Sequence, residues 1–403
     1  MEYTQVFMLI QEIKEKVKNL AGTVIGYRRH LHANPELSFM EYETSAFIKA
    51  RLDEIGIVWQ AMGGTGVVAL IKGDLPSGKV IALRADMDAL PITEANDVAY
   101  VSQEKGVMHA CGHDAHMASL LGTATLLHSL KHRFGGVVKL IFQPAEEVLP
   151  GGAGMMIDEG VLENPKPELI LGQHVSPHIR SGKVGIRKGK FMASMDEIRV
   201  TVKGKGGHGA QPHQNIDPVM MAAQMLVGLQ QVVSRFANPA LPTVLSFGKI
   251  IGNGAINIIP DEVYLEGTFR TLDEHWRDEA YVRMKKLATG LVESMGGTCD
   301  FNITRGYPFL INNEELAADL YLYAGQYLGK DNVEEIDIWM AAEDFARYSQ
   351  LTPSCFYLIG VGNEEKGIRS SLHTSTFDLD ENALMVSTGL MTYIALRKLG
   401  VDA

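Results

Sequence analysis

A chain of 403 residues with 46% hydrophobic and 21% charged side chains has the make-up of a protein that buries a real core, which excludes a mostly disordered chain and a low-complexity fibre. At a prior of about 150 residues per domain, the length suggests two or three domains. The 37 basic and 48 acidic side chains leave a net charge of −11 without a basic stripe, which argues against nucleic acid or an anionic membrane as the main partner.

The first residues carry Ile10, Ile13, Val17 and Leu20 at helical spacing, the pattern of an amphipathic helix rather than a signal peptide. No apolar run approaches the roughly 18 residues of a membrane span. Cys111, Cys299 and Cys355 are too few for a disulfide framework and suit a reducing compartment, so a cytoplasmic protein is expected.

Val80–Leu83, Val137–Phe142, Leu169–Leu171 and Phe356–Ile359 are short apolar, β-prone runs without polar alternation, which predicts strands covered on both faces. Helical segments such as Met117–Leu130 lie between them, so the pattern is α/β with a largely parallel sheet. From 191 to 305 the pattern changes. Asp196–Lys203 alternates like a half-buried strand, and Pro218–Arg235 reads as a helix. Thr243–Ile251 and Glu262–Arg270 follow as strands, Asp273–Met295 as a helix and Thr298–Thr304 as a strand. This βαββαβ order is the split βαβ, ferredoxin-like arrangement. Residues 1–190 and 306–403 are therefore expected to form one α/β domain, and 191–305 an inserted α+β domain. The hinges fall at Lys188-Gly189-Lys190 and Arg305-Gly306.

Chemistry-bearing residues follow the predicted strands. Asp86 and Asp88 come after Leu83, Glu146 and Glu147 after Phe142, and His174 after Leu171. Ligands of open α/β sheets bind at the carboxyl ends of strands, so three strands deliver acids or imidazole to one edge. His109-Ala110-Cys111-Gly112-His113-Asp114-Ala115-His116 is the densest cluster. Cys and His two apart can both reach one metal, while a helix start with buried small residues and incidental histidines accounts for the same run. Adjacent acids in an extended chain face opposite ways, which suggests that Glu146 and Glu147 divide two tasks: holding a water and ligating metal. A solvated acidic turn is the alternative. His373, like His174, stands alone.

Arg28-Arg29-His30-Leu31-His32, Pro35-Glu36-Leu37-Ser38, Leu83–Pro91, Met108–Met117 and Phe142–Glu147 together resemble the aminoacylase-type metal-dependent amidohydrolases. The nearest branch is that of hippurate hydrolases, N-acetyldiaminopimelate deacetylases and auxin-conjugate hydrolases. The likeness continues in order through Gly207–Ala210, Asn257–Pro260, Gly267–Arg270 and Glu343–Phe345 to His373. It implies an aminopeptidase-like catalytic domain with a mixed, largely parallel sheet, and a lid that also serves dimerisation. It also implies two divalent metal ions per subunit, manganese or zinc, with nickel or cobalt as other candidates. The family ligands map onto Cys111, His113, Glu147, His174 and His373, the general base onto Glu146, and the acid that orients a ligand onto Asp88. The better-known carboxypeptidase branch has an aspartate in the bridging role where this chain has a cysteine. His208 resembles the family histidine that meets the developing oxyanion, against a surface-loop histidine. Asn257 and Arg270 are candidates for gripping a substrate carboxylate, which Arg binds bidentately, against a salt-bridged strand end for Arg270.

The expected activity is hydrolysis of N-acyl amino acids to a carboxylic acid and a free amino acid. A dipeptidase or carboxypeptidase of the same clan is the nearest rival, and a non-catalytic metal-binding protein of the same fold the more distant one. The expected partner is a small N-acyl amino acid, with no nucleic acid and no membrane. A homo-oligomer through the lid is the one macromolecular assembly this reading admits.

Overall fold

The apolar runs become the centre of an eight-stranded mixed sheet. In the computed structural model, which describes residues 2–401, Leu75–Asp86, Gly135–Gln143, Leu169–Arg180 and Ser354–Gly362 are its parallel block. Gly135–Gln143 and Ser354–Gly362 are buried at nearly every position, as strands covered on both faces must be. Two strands the sequence reading did not pick out extend one side: Val58–Ala61 and Val67–Lys72 form an antiparallel pair beside Gly135–Gln143. The short strands Val184–Ile186 and Val333–Glu335 finish the other side. The helices Glu2–Ala33, Tyr42–Ile55, His113–Ser129, Glu314–Leu328 and Asn382–Lys398 share one hydrophobic core with this sheet.

Register carries the site residues to one sheet edge. Asp86 pairs with Gln143, and two residues earlier Arg84 pairs with Gly172, which brings His174 level with the same edge. His174 lies inside its strand rather than after it.

The chain divides into two compact units. One contains Met1–Gly189, Ile311–Asp337 and Arg347–Ala403; the other contains Lys190–Leu310 and Ile338–Ala346. The second thus runs five residues beyond the sequence-based boundary at 305 and takes in a nine-residue segment from the later chain. That segment joins its backbone: Trp339 bridges to Met192, and Ala193 N–H donates to Ala341 O at 3.0 Å. The second unit has its own four-stranded antiparallel sheet, ordered Thr243–Ile251, Glu262–Thr271, Asp196–Lys203, Thr298–Arg305. Ile198, Val200 and Val202 alternate into its core, where they meet Met221, Met225 and Leu229 of one helix and Ala280, Met284 and Ala288 of the other. This is the split βαβ arrangement. No helix among the described residues is long and apolar enough to cross a membrane.

Candidate active site

The loop after Met108 reaches Gly112, whose left-handed backbone (φ +82°) turns the chain into the helix His113–Ser129. A Cβ at Gly112 would meet Val175 Cγ2 at 2.4 Å, so glycine is demanded by space as well as by conformation. The turn sets Cys111 and His113 on either side of the helix start.

Cys111 Sγ stands between two histidines, 3.3 Å from His174 Nε2 and 3.3 Å from His373 Nε2. Two groups of donor atoms share it: Cys111, His113 and His174, and Cys111, Glu147 and His373, each group lying within 4.8 Å. Further contacts aim each ring. His113 Nδ1 donates to Asp88 O at 2.9 Å, and among the described residues its buried Nε2 has no hydrogen-bond partner. His174 Nδ1 donates to Val175 O at 2.7 Å, which turns Nε2 toward Cys111. His373 is held by its own N–H on Ala110 O, 2.8 Å away. Its Nε2 is 3.3 Å from Glu147 Oε1, which makes no hydrogen bond among the described residues.

A metal ion fits this donor set. Burial disfavours charge on His113, yet the carboxylates of Asp86, Asp88 and Glu147 push its pKa up to about 10. Burial first, and then the carboxylates of Glu147, Glu146 and Asp86, hold the Cys111 thiol well above its ordinary value. The cluster is rich in negative charge and calls for cations. A third group, Asp86, His113 and His116, lies equally close, but His116 is fully used. Its Nε2 accepts Val175 N–H at 2.9 Å and its Nδ1 donates to Asp86 Oδ1 at 2.6 Å. Val175 thus orients two histidines with its two backbone groups.

Glu146 and Glu147 depart from the expected alternation. The strand ends at Gln143, and Ala145 is left-handed at φ +49°. Both glutamates therefore bend the same way, and their carboxylates lie with His113 inside one 4.8 Å group. The extended-chain argument fails because the chain there is a turn. Asp88 pins that turn: its Oδ1 accepts Glu146 N–H and its Oδ2 accepts Glu147 N–H, each at 3.0 Å, and Ser38 Oγ donates to Oδ2 at 2.6 Å.

The remaining candidates belong to the second unit. His208 lies in a two-residue strand paired with Ile258–Ile259, and Gly209 N–H donates to Asn257 O at 2.8 Å, so His208 and Asn257 share one exposed loop pair. His208 Nδ1 accepts Ala210 N–H at 3.1 Å. Arg270 ends the strand Glu262–Thr271, half-buried, with Nη1 on Met340 O at 3.2 Å and no ion pair among the described residues. The salt-bridged strand end weighed for it is not what this strand forms.

Sequence reasoning left several residues without a role. Asp86 was flagged, but not as the partner of Arg84 and His116, and neither Ser38 nor Val175 drew notice as an anchor. Ser38 lies in a motif that was read, and its placement next to the Asp88 segment was the missing information.

A buried thiol, three imidazoles and a pair of carboxylates at the carboxyl ends of sheet strands are the parts of a metallohydrolase site. The sequence profile of peptidase family M20/M25/M40 matches residues 82–397, and the chain belongs to that family. It is a hydrolase of amide bonds. It is 39% identical to thermostable carboxypeptidase 2 of Saccharolobus solfataricus over 96% of this chain and 98% of that one. It is 42% identical to an N-acyl-L-amino acid amidohydrolase of Geobacillus stearothermophilus over 76% of this chain and 83% of that one. A solved dinuclear metal binding peptidase of the M20 family from Bacillus subtilis superposes with a TM-score of 0.81 at 34% identity, covering 95% of this chain and 99% of that one.

Proposed function

We propose that the protein hydrolyses N-acyl amino acids to a carboxylic acid and the free amino acid. The observation that carries the reading is the sharing of Cys111 by two groups of donors, with the Glu146 carboxylate beside them. Cys111, His113 and His174 would hold one divalent ion, and Cys111, Glu147 and His373 a second. Ions bound there would make a water acidic near neutral pH and polarise the amide carbonyl. Imidazole and thiolate favour zinc, and the carboxylate admits manganese.

In this reading Glu146 takes a proton from water at its carboxylate and returns it to the departing nitrogen. Asp88 holds both glutamates and His113 at their angles. His208 donates to the oxygen that gains charge as the carbonyl is attacked, and Arg270 with Asn257 grips the carboxylate of the amino acid half. The half-buried guanidinium of Arg270, without an ion pair among the described residues, supports that last role. The free cysteines support a reducing, cytoplasmic setting.

A carboxypeptidase is the second reading, favoured by the Saccharolobus relative's name. One experiment separates the two. Stripped enzyme is assayed with added Mn²⁺, Zn²⁺, Co²⁺ or Ni²⁺ on N-acetyl and N-benzoyl amino acids beside unblocked dipeptides. Turnover of the N-acyl compounds, absent in the stripped form, is expected. Exclusive turnover of dipeptides would move the assignment to the peptidase, and full activity without metal would sink both.

A further inference from the structure

Three residues past the Pro35–Ser38 motif stands a buried carboxylate that no step above uses. Glu41 is the residue before the helix Tyr42–Ile55, a position where a short side chain such as Asp, Asn, Ser or Thr ordinarily accepts from the helix's own first N–H groups. It does not cap that helix. Its Oε1 instead accepts two other N–H groups, Phe39 at 3.0 Å and Ala145 at 2.8 Å, and its Oε2 accepts the Thr65 hydroxyl at 2.6 Å. The side chain is fully buried.

The two backbone donors have something in common. Phe39 at φ +67° and Ala145 at φ +49° are both left-handed without being glycine. Such residues persist where surrounding contacts over-determine them. One carboxylate oxygen therefore ties together two strained turns that lie over a hundred residues apart in sequence. Ala145 is also the residue immediately before Glu146. With Asp88 on the next two N–H groups, the backbone of residues 145, 146 and 147 hangs from two buried carboxylates. If Ala145 relaxed to an ordinary negative φ, the chain would leave the turn in another direction and carry the Glu146 side chain with it. A base must sit within hydrogen-bond reach of the proton it takes, so a small misplacement is costly.

We infer that Glu41 is a positioning residue for Glu146: it holds the left-handed turn at Ala145 and thereby aims the Glu146 carboxylate. The inference rests on the proposed role of Glu146 as base. What the turn needs from Glu41 is an acceptor in the right place, not a charge.

The test uses metal-loaded full-length enzyme and the best amide substrate of the wild type. Glu41→Ala should lower kcat by about 10- to 100-fold, the usual cost of removing a supporting partner, with KM and metal content little changed. Glu41→Gln should stay near the wild-type kcat, because its carbonyl oxygen can accept both N–H groups and its amide can donate to Thr65. Adding Ala145→Gly to Glu41→Ala should return about two- to fivefold, since glycine takes the left-handed turn without strain. Should Glu41→Ala not accumulate folded, Glu41→Asp withdraws the oxygens by one methylene and carries the same expectation. Wild-type kcat in a folded Glu41→Ala or Glu41→Asp variant would overturn the inference. So would a loss that follows metal content, or a Glu41→Gln variant as slow as Glu41→Ala. Glu146→Gln run alongside separates the failures. If Glu146→Gln turns over normally, the base assignment falls and this inference with it. If it is inactive while Glu41→Ala is unimpaired, only this inference falls.

Discussion

The candidate residues of the two units are held in opposite ways. In the first unit almost every one is fastened by a second partner. Asp88 carries three donated hydrogen bonds, His113 and His174 each spend one ring nitrogen on a backbone carbonyl, and His373 is anchored by its own N–H. In the second unit His208 and Asn257 lie exposed on one loop pair, and among the described residues Arg270 reaches one carbonyl, that of Met340. The first arrangement is set before any substrate arrives, as the proposed sharing of metals and a proton requires. The second leaves its side chains less constrained, as the proposed substrate-gripping role would have it. Substitutions should therefore fail differently in the two units: through metal and kcat in the first, through substrate in the second.

The largest effects are expected at the paired glutamates. Glu146→Gln keeps shape but cannot accept a proton, and kcat should fall by about 100- to 10,000-fold with both metals retained. Glu147→Gln removes a charged ligand, so metal occupancy should drop and excess metal should partly restore the rate. Elemental analysis beside kcat decides. Loss of metal from Glu146→Gln and not from Glu147→Gln would reverse the roles, and normal turnover with full metal in both would remove the dinuclear reading.

His208 comes next. His208→Ala should lower kcat by about 100-fold, the cost of losing one donor to a developing oxyanion, with a smaller change in KM and no change in metal content. An unaltered kcat would return His208 to the loop histidine its exposure resembles. Loss of metal from this variant would break the contrast between the units.

These contrasts also mark how far the sequence could be read. Continuous apolar runs such as Val137–Phe142 announced doubly covered strands, and the alternation of Asp196–Lys203 announced a strand with one face in a core. Both signals are local. Of the five candidate ligands, Cys111, His113 and Glu147 stand in runs dense in metal-binding chemistry, while His174 and His373 stand alone and were named as ligands only through the family resemblance; the structure brings donor atoms of all five together around Cys111. The turn that aims Glu146 and Glu147 was misread as extended chain. A left-handed alanine has no local signature: Ala145 is held by a carboxylate 104 residues upstream, and its successor by one 58 residues upstream. Of the antiparallel pair Val58–Ala61 and Val67–Lys72, the first strand is mostly exposed and offers no apolar run, whereas the second, with Val67–Ile71, carried the same local signal as Val137–Phe142 and was passed over. The short segment Ile338–Ala346 joined the second unit through backbone bonds that composition does not encode.

The smallest effect, and the sharpest for substrate class, is expected at Arg270. A guanidinium that grips a carboxylate equally in ground and transition state contributes uniform binding, so its loss raises KM and spares kcat. Charge-assisted hydrogen bonds of this kind are worth about 1.5–3 kcal/mol, or roughly 10- to 150-fold in KM for Arg270→Ala on an N-acyl amino acid. Arg270→Lys keeps the charge and loses the planar fork, so it should fall between wild type and Arg270→Ala. The control is the same substrate with its carboxylate blocked as an amide. The wild type should bind that compound poorly, and Arg270→Ala should bind it no worse than the wild type does. If Arg270→Ala weakens both substrates equally, the residue serves the strand end and its carbonyl contact with Met340 rather than the substrate. If instead kcat collapses with KM unchanged, Arg270 acts only in the transition state, and the second unit is as preset as the first.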